Sequence, residues 1–239
     1  MRKIFGFLIV YCSLFIVYST DAHASYVTVS PEGKLVVKVL ADQTEKGGSS
    51  LAVTKLAENT VTNKMPAVTL TKNNDSVQMV VTNSDGTKEL TVPEKTDTLV
   101  EIEERPETQK ISIGLQNDQF FVRQKNYVAL THFPLTVDAQ SAHLVAKGGS
   151  GDTLLTILPM EAAESTLRSG ILTKVTDNTM ELIDEDHGLQ YKITGEKVFS
   201  FLHIYDYTVP VEAYVSVTDG SILRIDSSTW YRFMNFLVG

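Results

Sequence analysis

Apolar residues recur at every second position over much of this chain, the period of a pleated strand with one buried face. The alternation is clearest near the C-terminal end. From Lys197 to Tyr207, Phe199, Phe201, His203, Tyr205 and Tyr207 face one way, and Val198, Ser200, Leu202, Ile204 and Asp206 the other. This predicts a single strand, apolar enough on both sides to be central in a sheet. Val209 to Val217 repeats the pattern with Val209, Val211, Ala213, Val215 and Val217. A two-residue turn after it would put Leu223 and Ile225 on the polar side. A three-residue Thr218-Asp219-Gly220 turn pairs Val215 with Leu223 and Ala213 with Ile225. Register follows the buried face, so the longer turn is predicted, with Gly220 in the left-handed position.

Earlier in the chain, Tyr26–Val29 and Leu35–Leu40 read as a hairpin around Pro31-Glu32-Gly33. Strand patterns follow at Leu51–Leu56, Ala67–Thr71, Ser76–Thr82 and Thr87–Val92. They resume at Thr98–Glu103, Lys110–Leu115, Gln119–Gln124, Val128–Thr131, Leu135–Val137, His143–Ala146 and Thr153–Leu158. Asn117-Asp118, Lys125-Asn126 and Gly148-Gly149-Ser150-Gly151 supply turn chemistry between them, and Asp42–Ser50 reads as loop. Short strands at this spacing predict an antiparallel meander, sandwich or barrel. No fixed-period repeat marks a solenoid or propeller.

At Pro159 the period changes. Met160, Ala163, Leu167, Ile171 and Val175 share one helical face, Pro159 suits the first helical position, and Glu161 and Glu164 complement the helix dipole. Gly170 either ends this helix or weakens it. Strands are expected again near Met180–Ile183 and Leu189–Thr194. A short helix from Ser227 to Val238 is expected to present Trp230, Phe233, Met234 and Leu237 as a lid over the sheet. The fold class is therefore mostly β, α+β overall: a sandwich-like meander at residues 25–158 with a candidate sub-boundary near 93–98, then a helix packed on an antiparallel sheet at 159–239.

Composition narrows the function classes. Arg2 and Lys3, the apolar run Ile4–Tyr18 and Ala22-His23-Ala24 form an export signal, with cleavage expected after Ala24. The apolar run is short of the roughly twenty residues that span a bilayer as a helix, which leaves an uncleaved anchor as the alternative. Residues 25–239 then hold no cysteine, since Cys12 is the only one, so disulfides, Fe–S clusters and thiolate nucleophiles are excluded there. Net charge is −8 for the whole chain and −9 without the signal, which holds Arg2, Lys3 and Asp21. That disfavours nucleic acid and anionic membrane surfaces as partners.

Candidate chemistry is sparse. Asp184 and Asp186, in Asp184-Glu185-Asp186-His187-Gly188, could offer carboxylates to Ca²⁺, but the run lacks the further oxygen ligands of a full site. The competing reading is a solvated turn between two strands. His132, His143, His187 and His203 show no dense ligand spacing. Gly149-Ser150-Gly151-Asp152 lacks the glycine a nucleophile elbow needs at position 152 and reads as a hairpin tip. Phe199, Phe201, His203, Tyr205 and Tyr207 are the binding candidates: an exposed aromatic row stacks on sugars or seats a partner, whereas a covered one is core under the helix. No cofactor pattern is present.

Thr131-His132-Phe133-Pro134-Leu135-Thr136-Val137-Asp138, Thr156-Ile157-Leu158-Pro159 and the run from Val209-Pro210 through Val215-Ser216 to Gly220 resemble a group of uncharacterised exported proteins of candidate-phyla bacteria. The likeness spans about residues 98–239 and implies a fold only. Ala213–Leu223 resembles the strand, glycine turn and strand that end PepSY modules, without their Asp-x-x-Thr-Gly loop. PepSY kinship implies protein binding or protease modulation in the envelope and no catalytic residues. The sequence thus points to an exported, non-enzymatic binding or structural protein, extracellular or at the cell surface, whose partner is another envelope protein or a surface polymer. The alternatives are a hydrolase using dispersed carboxylates with His132 or His187, and a Ca²⁺-stabilised surface protein.

Overall fold

The computed structural model describes residues 25–38, 53–54, 65–73, 76–84, 86–93, 98–106, 108–201 and 205–227. The expected export signal, the expected 42–50 loop, His203 and the helix expected beyond Ser227 lie outside them. The alternating runs become β1 (Val27–Val29), β2 (Leu35–Val37), β3 (Val53–Thr54), β4 (Ala67–Asn73), β5 (Ser76–Asn83) and β6 (Gly86–Pro93). Then come β7 (Val100–Ile102), β8 (Ile111–Gln116), β9 (Gln119–Gln124), β10 (Tyr127–Thr131), β11 (Leu135–Asp138), β12 (Leu144–Gly148) and β13 (Gly151–Leu154). Helix α1 (Pro159–Arg168) precedes β14 (Lys174–Glu185), β15 (Gly188–Phe201), β16 (Tyr205–Ser216) and β17 (Ile222–Ser227). Among the described residues, no helix is long and apolar enough to cross a membrane.

The fold is mostly β, with two sheets and one described helix. One sheet runs β17-β16-β15-β14-β10-β9-β8-β7-β1-β2, the other β13-β12-β11-β4-β5-β6-β3. Most neighbours are antiparallel, as the turns predict. Two pairs are parallel, β1 with β7 and β10 with β14, so the chain is not a simple meander. Parallel partners need a long crossover. For β10 and β14 it passes through β11–β13 in the second sheet and then through α1. The division expected at Pro159 therefore falls inside a connection between two paired strands, and both halves of the chain contribute to the ten-stranded sheet.

Both sheets bury one face in a shared core: Val68, Leu70, Val77 and Met79 from one, Val29, Ile102, Ile113, Phe120, Tyr191 and Ile193 from the other. Helix α1 seats Ala162, Ala163 and Thr166 in that core. Its ends are tied to the large sheet. The N-terminal turn leaves backbone N–H groups unpaired. The buried amide of Gln124 accepts from the N–H of Met160 at 3.2 Å, and Glu161 accepts from that of Leu158 at 3.1 Å. Tyr191 donates its hydroxyl to the Ile157 carbonyl at 2.9 Å, and Ser165 donates to the Gly220 carbonyl at 3.1 Å. At the far end Lys197 donates to the Gly170 carbonyl, which places a cation at the negative pole of the helix.

Three local expectations need correction. First, Lys197–Tyr207 is not one strand but the distal end of the β15–β16 hairpin, in which Phe199 pairs with Tyr207 and Phe201 with Tyr205. The offset from Phe201 to Tyr205 is even, so the alternation passes through the chain reversal without a break in phase. Second, the helix stops at Arg168. Gly170, at φ +69°, takes the left-handed position that ends it, and Val175 belongs to β14. Third, Ala213 pairs with Ile225 as expected, but a bulge beside Tyr214 makes Ile222, not Leu223, the partner of Val215. Gly220 has φ +71°, as the turn requires.

Candidate functional site

The hairpin arm places the aromatic candidates together. Directly opposed residues of an antiparallel pair project from the same side of the sheet. Phe199 and Tyr207 are therefore neighbours, and the backbones of Phe201 and Tyr205 are paired beyond them. Phe199 is buried, at 4% exposure, whereas Tyr205 is 72% and Tyr207 49% exposed. Ser200 donates to Asp206 at 2.5 Å on the opposite side, which pins the two strands at this end. The arm can offer a partner two phenol rings with polar tips, on a rigid paired backbone. His203 lies outside the described residues.

The acidic run at the β14–β15 turn is taken up by protein contacts. Asp184 Oδ2 accepts from the backbone N–H of Gly149 at 2.6 Å and of Ser150 at 3.3 Å, tying the tip of the β12–β13 hairpin to the large sheet. A Cβ on Gly148 would meet the same oxygen at 2.6 Å, so the approach depends on glycine. Glu185 accepts from Arg224 at 3.0 Å and from Gln190 at 3.2 Å. Asp186 and His187 are exposed at the turn itself. Among the described residues, no group of three or more His, Cys, Asp or Glu could hold a metal ion. The ring nitrogen Nε2 of His132 lies 2.9 Å from Gln119 Nε2. Among the described residues, no carboxylate lies within hydrogen-bond distance of His132, His143 or His187.

The outward face of the large sheet carries charge instead. The Arg224 guanidinium lies 3.8 Å from the centre of the Tyr214 ring and also meets Asp226 at 3.2 Å, while Lys192 meets Glu212 at 3.3 Å. Burial pushes the Tyr214 hydroxyl above its ordinary range, against the opposing pull of Arg224. At the β16–β17 turn, hydrogen bonds from Ser216 and Ser221 hold the Asp219 carboxyl below its usual range.

The pattern gives no hint of a cleft of about 370 Å³ on this same face, lined by Glu104, Gln109, Lys110, Ser112, Arg123 and Lys125. Register explains its make-up. Ser112 of β8 lies opposite Arg123 of β9, Lys110 directly precedes β8, and Lys125 directly follows β9. Lys110 pairs with Glu101 at 2.6 Å. The Arg123 guanidinium stacks 4.8 Å from the centre of the buried Phe121 ring. Among the described residues neither Arg123 nor Lys125 has an acidic partner. The amide oxygen of Gln109 is buried and makes no hydrogen bond. None of these residues stands out singly, since Ser112 and Arg123 read as strand and Lys125 as turn, and only strand pairing brings them together. Set against protein-family models, curated proteins and solved structures, the chain matches none.

Proposed function

We propose that this is an exported, non-enzymatic binding protein that seats another protein of the cell envelope on the distal arm of the β15–β16 hairpin. The observation that carries the reading is the exposure of Tyr205, 72%, and Tyr207, 49%, at the far end of a stripe that is buried from Val209 to Val217. Large exposed aromatics on a rigid scaffold suit binding, because they give contact area at little cost in side-chain entropy. Export rests on the Arg2/Lys3 start, the Ile4–Tyr18 run and the Ala22-His23-Ala24 signal. The likeness of Ala213–Leu223 to the PepSY ending points the same way, towards a protein partner.

The test is a photo-activated crosslinking residue at position 205, with the same residue at exposed Asp152 of β13 as control. A discrete protein adduct in whole envelopes is expected from position 205 and not from 152. The adduct should vanish when Tyr207 is also replaced by alanine while the melting temperature holds. Identical adducts from both positions, or none from either, would remove the proposal. An adduct with polysaccharide alone would replace the protein partner by a surface polymer.

A further inference from the structure

We propose that the cleft between β8 and β9 binds a small monocarboxylate carrying an O–H or N–H donor beside its carboxylate. The size fits, since small-molecule sites run from about 300 to 1,000 Å³ and this one holds about 370 Å³. The charge fits a single anion. Lys110, Arg123 and Lys125 stand against Glu104 on the wall and against Glu101, which already holds Lys110 at 2.6 Å. Counted over these described residues, that leaves one positive charge in a chain whose net charge is −8. A phosphate dianion would meet Glu104 with only half its charge matched. A carboxylate is matched in full, and the planar guanidinium fork suits its two oxygens.

Arg123 is already positioned for this. Its guanidinium rests on Phe121, which is buried to 2%, so less freedom remains to be lost on binding. Gln109 supplies the second requirement. A buried acceptor without a donor is costly, and buried polar atoms are paired in nearly all folded proteins. The Gln109 amide oxygen is such an orphan on the cleft wall. Turned into the cleft, that oxygen accepts from a ligand that brings its own hydroxyl or amide N–H, while Arg123 and Lys125 take the carboxylate. Ser112 lies opposite Arg123 in the register, beside the site of the charge. The proposal is independent of the hairpin arm, since neither its residues nor its ligand are shared with it.

The test is an amide-resolved NMR titration of the mature chain with five probes: D-glucuronate, N-acetyl-L-alanine, acetate, D-glucose and glucose 6-phosphate. Saturable shifts at the Ser112 and Arg123 amides are expected from glucuronate or N-acetylalanine, and which of the two binds tells an O–H donor from an N–H donor. Acetate should bind at least about tenfold more weakly, the effect of one lost hydrogen bond to an otherwise orphaned group. Glucose should not bind. Arg123→Gln should weaken the better probe at least about tenfold, Gln109→Leu should reduce it to the level of acetate, and Lys147→Gln on the other sheet should leave it unchanged. Unchanged melting curves would show that each variant folds. No saturable shift, acetate equal to the better probe, tighter binding of glucose 6-phosphate, or indifference to Arg123→Gln would each overturn the proposal.

Discussion

At the base of the β15–β16 hairpin Tyr191, Ile193, Val211, Ala213 and Val215 are sealed, all at 1% exposure or less; at its distal end, on the same face, Tyr205 is 72% exposed. Strand pairing is continuous between the two, from Gln190–Ser216 to Phe201–Tyr205. The difference is cover. The base lies under α1 and the turn after it, held there by Tyr191, Gln124 and Lys197. At Gly195 the approach is close, its Cβ position lying 2.5 Å from the Lys174 carbonyl and 2.7 Å from Leu172; cover continues to Val209 and Phe199, and it ends at Tyr207. One hairpin thus serves as core at its base and as surface at its tip.

The largest effect that would expose this contrast is expected from Ile193→Ala. Removing a fully buried isoleucine loses its transfer free energy and leaves a cavity, about 2–5 kcal/mol in all. Urea unfolding followed by far-UV circular dichroism measures it directly. A loss below about 1 kcal/mol would mean that the base can collapse around the gap and is not the close-packed end of the pair.

Tyr191→Phe is the next step down. It keeps the ring and removes the hydroxyl that meets the Ile157 carbonyl at 2.9 Å, which costs about 1–2 kcal/mol. The same hydroxyl ties stability to pH. Burial first, and the charge of Glu161 second, raise its pKa far above the ordinary value of 10.0. The unfolded chain therefore loses this proton before the folded one does, so stability is full below pH 10 and declines as pH rises beyond it. Tyr191→Phe should flatten that alkaline decline without abolishing it, because Tyr214 is shifted the same way. An unchanged alkaline slope in the variant would show that Tyr191 is not linked to it.

How much of this was legible in the residues follows from the same contrast. Alternation locates most strands, since the pleat is local: it gives Gln119–Gln124 its observed bounds and Val209–Val217 its observed buried face. Alternation has no mark for a reversal that preserves its phase, so the pattern over 197–207 is that of one strand although the chain forms a hairpin there. Nor does it say what lies above a face. Burial of Phe199 and exposure of Tyr205 are decided by layers assembled from distant segments. The cleft was hidden for a related reason, because Lys110, Arg123 and Lys125 meet only once β8 and β9 are paired. The acidic run at 184–186 was visible, yet its use was not, since Asp184 reaches 35 residues back to the N–H of Gly149.

Asp184→Ala tests that long-range tie. It removes two charge-assisted hydrogen bonds at a half-exposed position, worth about 1 kcal/mol after competition from water. The Gly149 and Ser150 amides should exchange faster with solvent, and the base of β15–β16 should not. The Ca²⁺ alternative makes the opposite demand on the same carboxylate. Since Oδ2 already accepts from two N–H groups, chelator should leave the melting temperature of the wild-type chain where it was. A drop with chelator that Asp184→Ala abolishes would restore the metal reading.

The smallest expected effect on stability is the one that bears most on function. Tyr205→Ala removes a side chain that is 72% exposed, and a surface substitution of this kind costs about 0.5 kcal/mol or less. If the arm exists to bind, the same change should reduce partner capture strongly while the urea midpoint barely moves. Ile193→Ala should behave in reverse, lowering the midpoint but leaving capture intact wherever the chain is still folded. The two measurements together separate a surface kept for contact from one that is merely uncovered. Should Tyr205→Ala cost as much as Ile193→Ala, the distal arm is packed like the base, and the contrast between the two ends of the hairpin disappears.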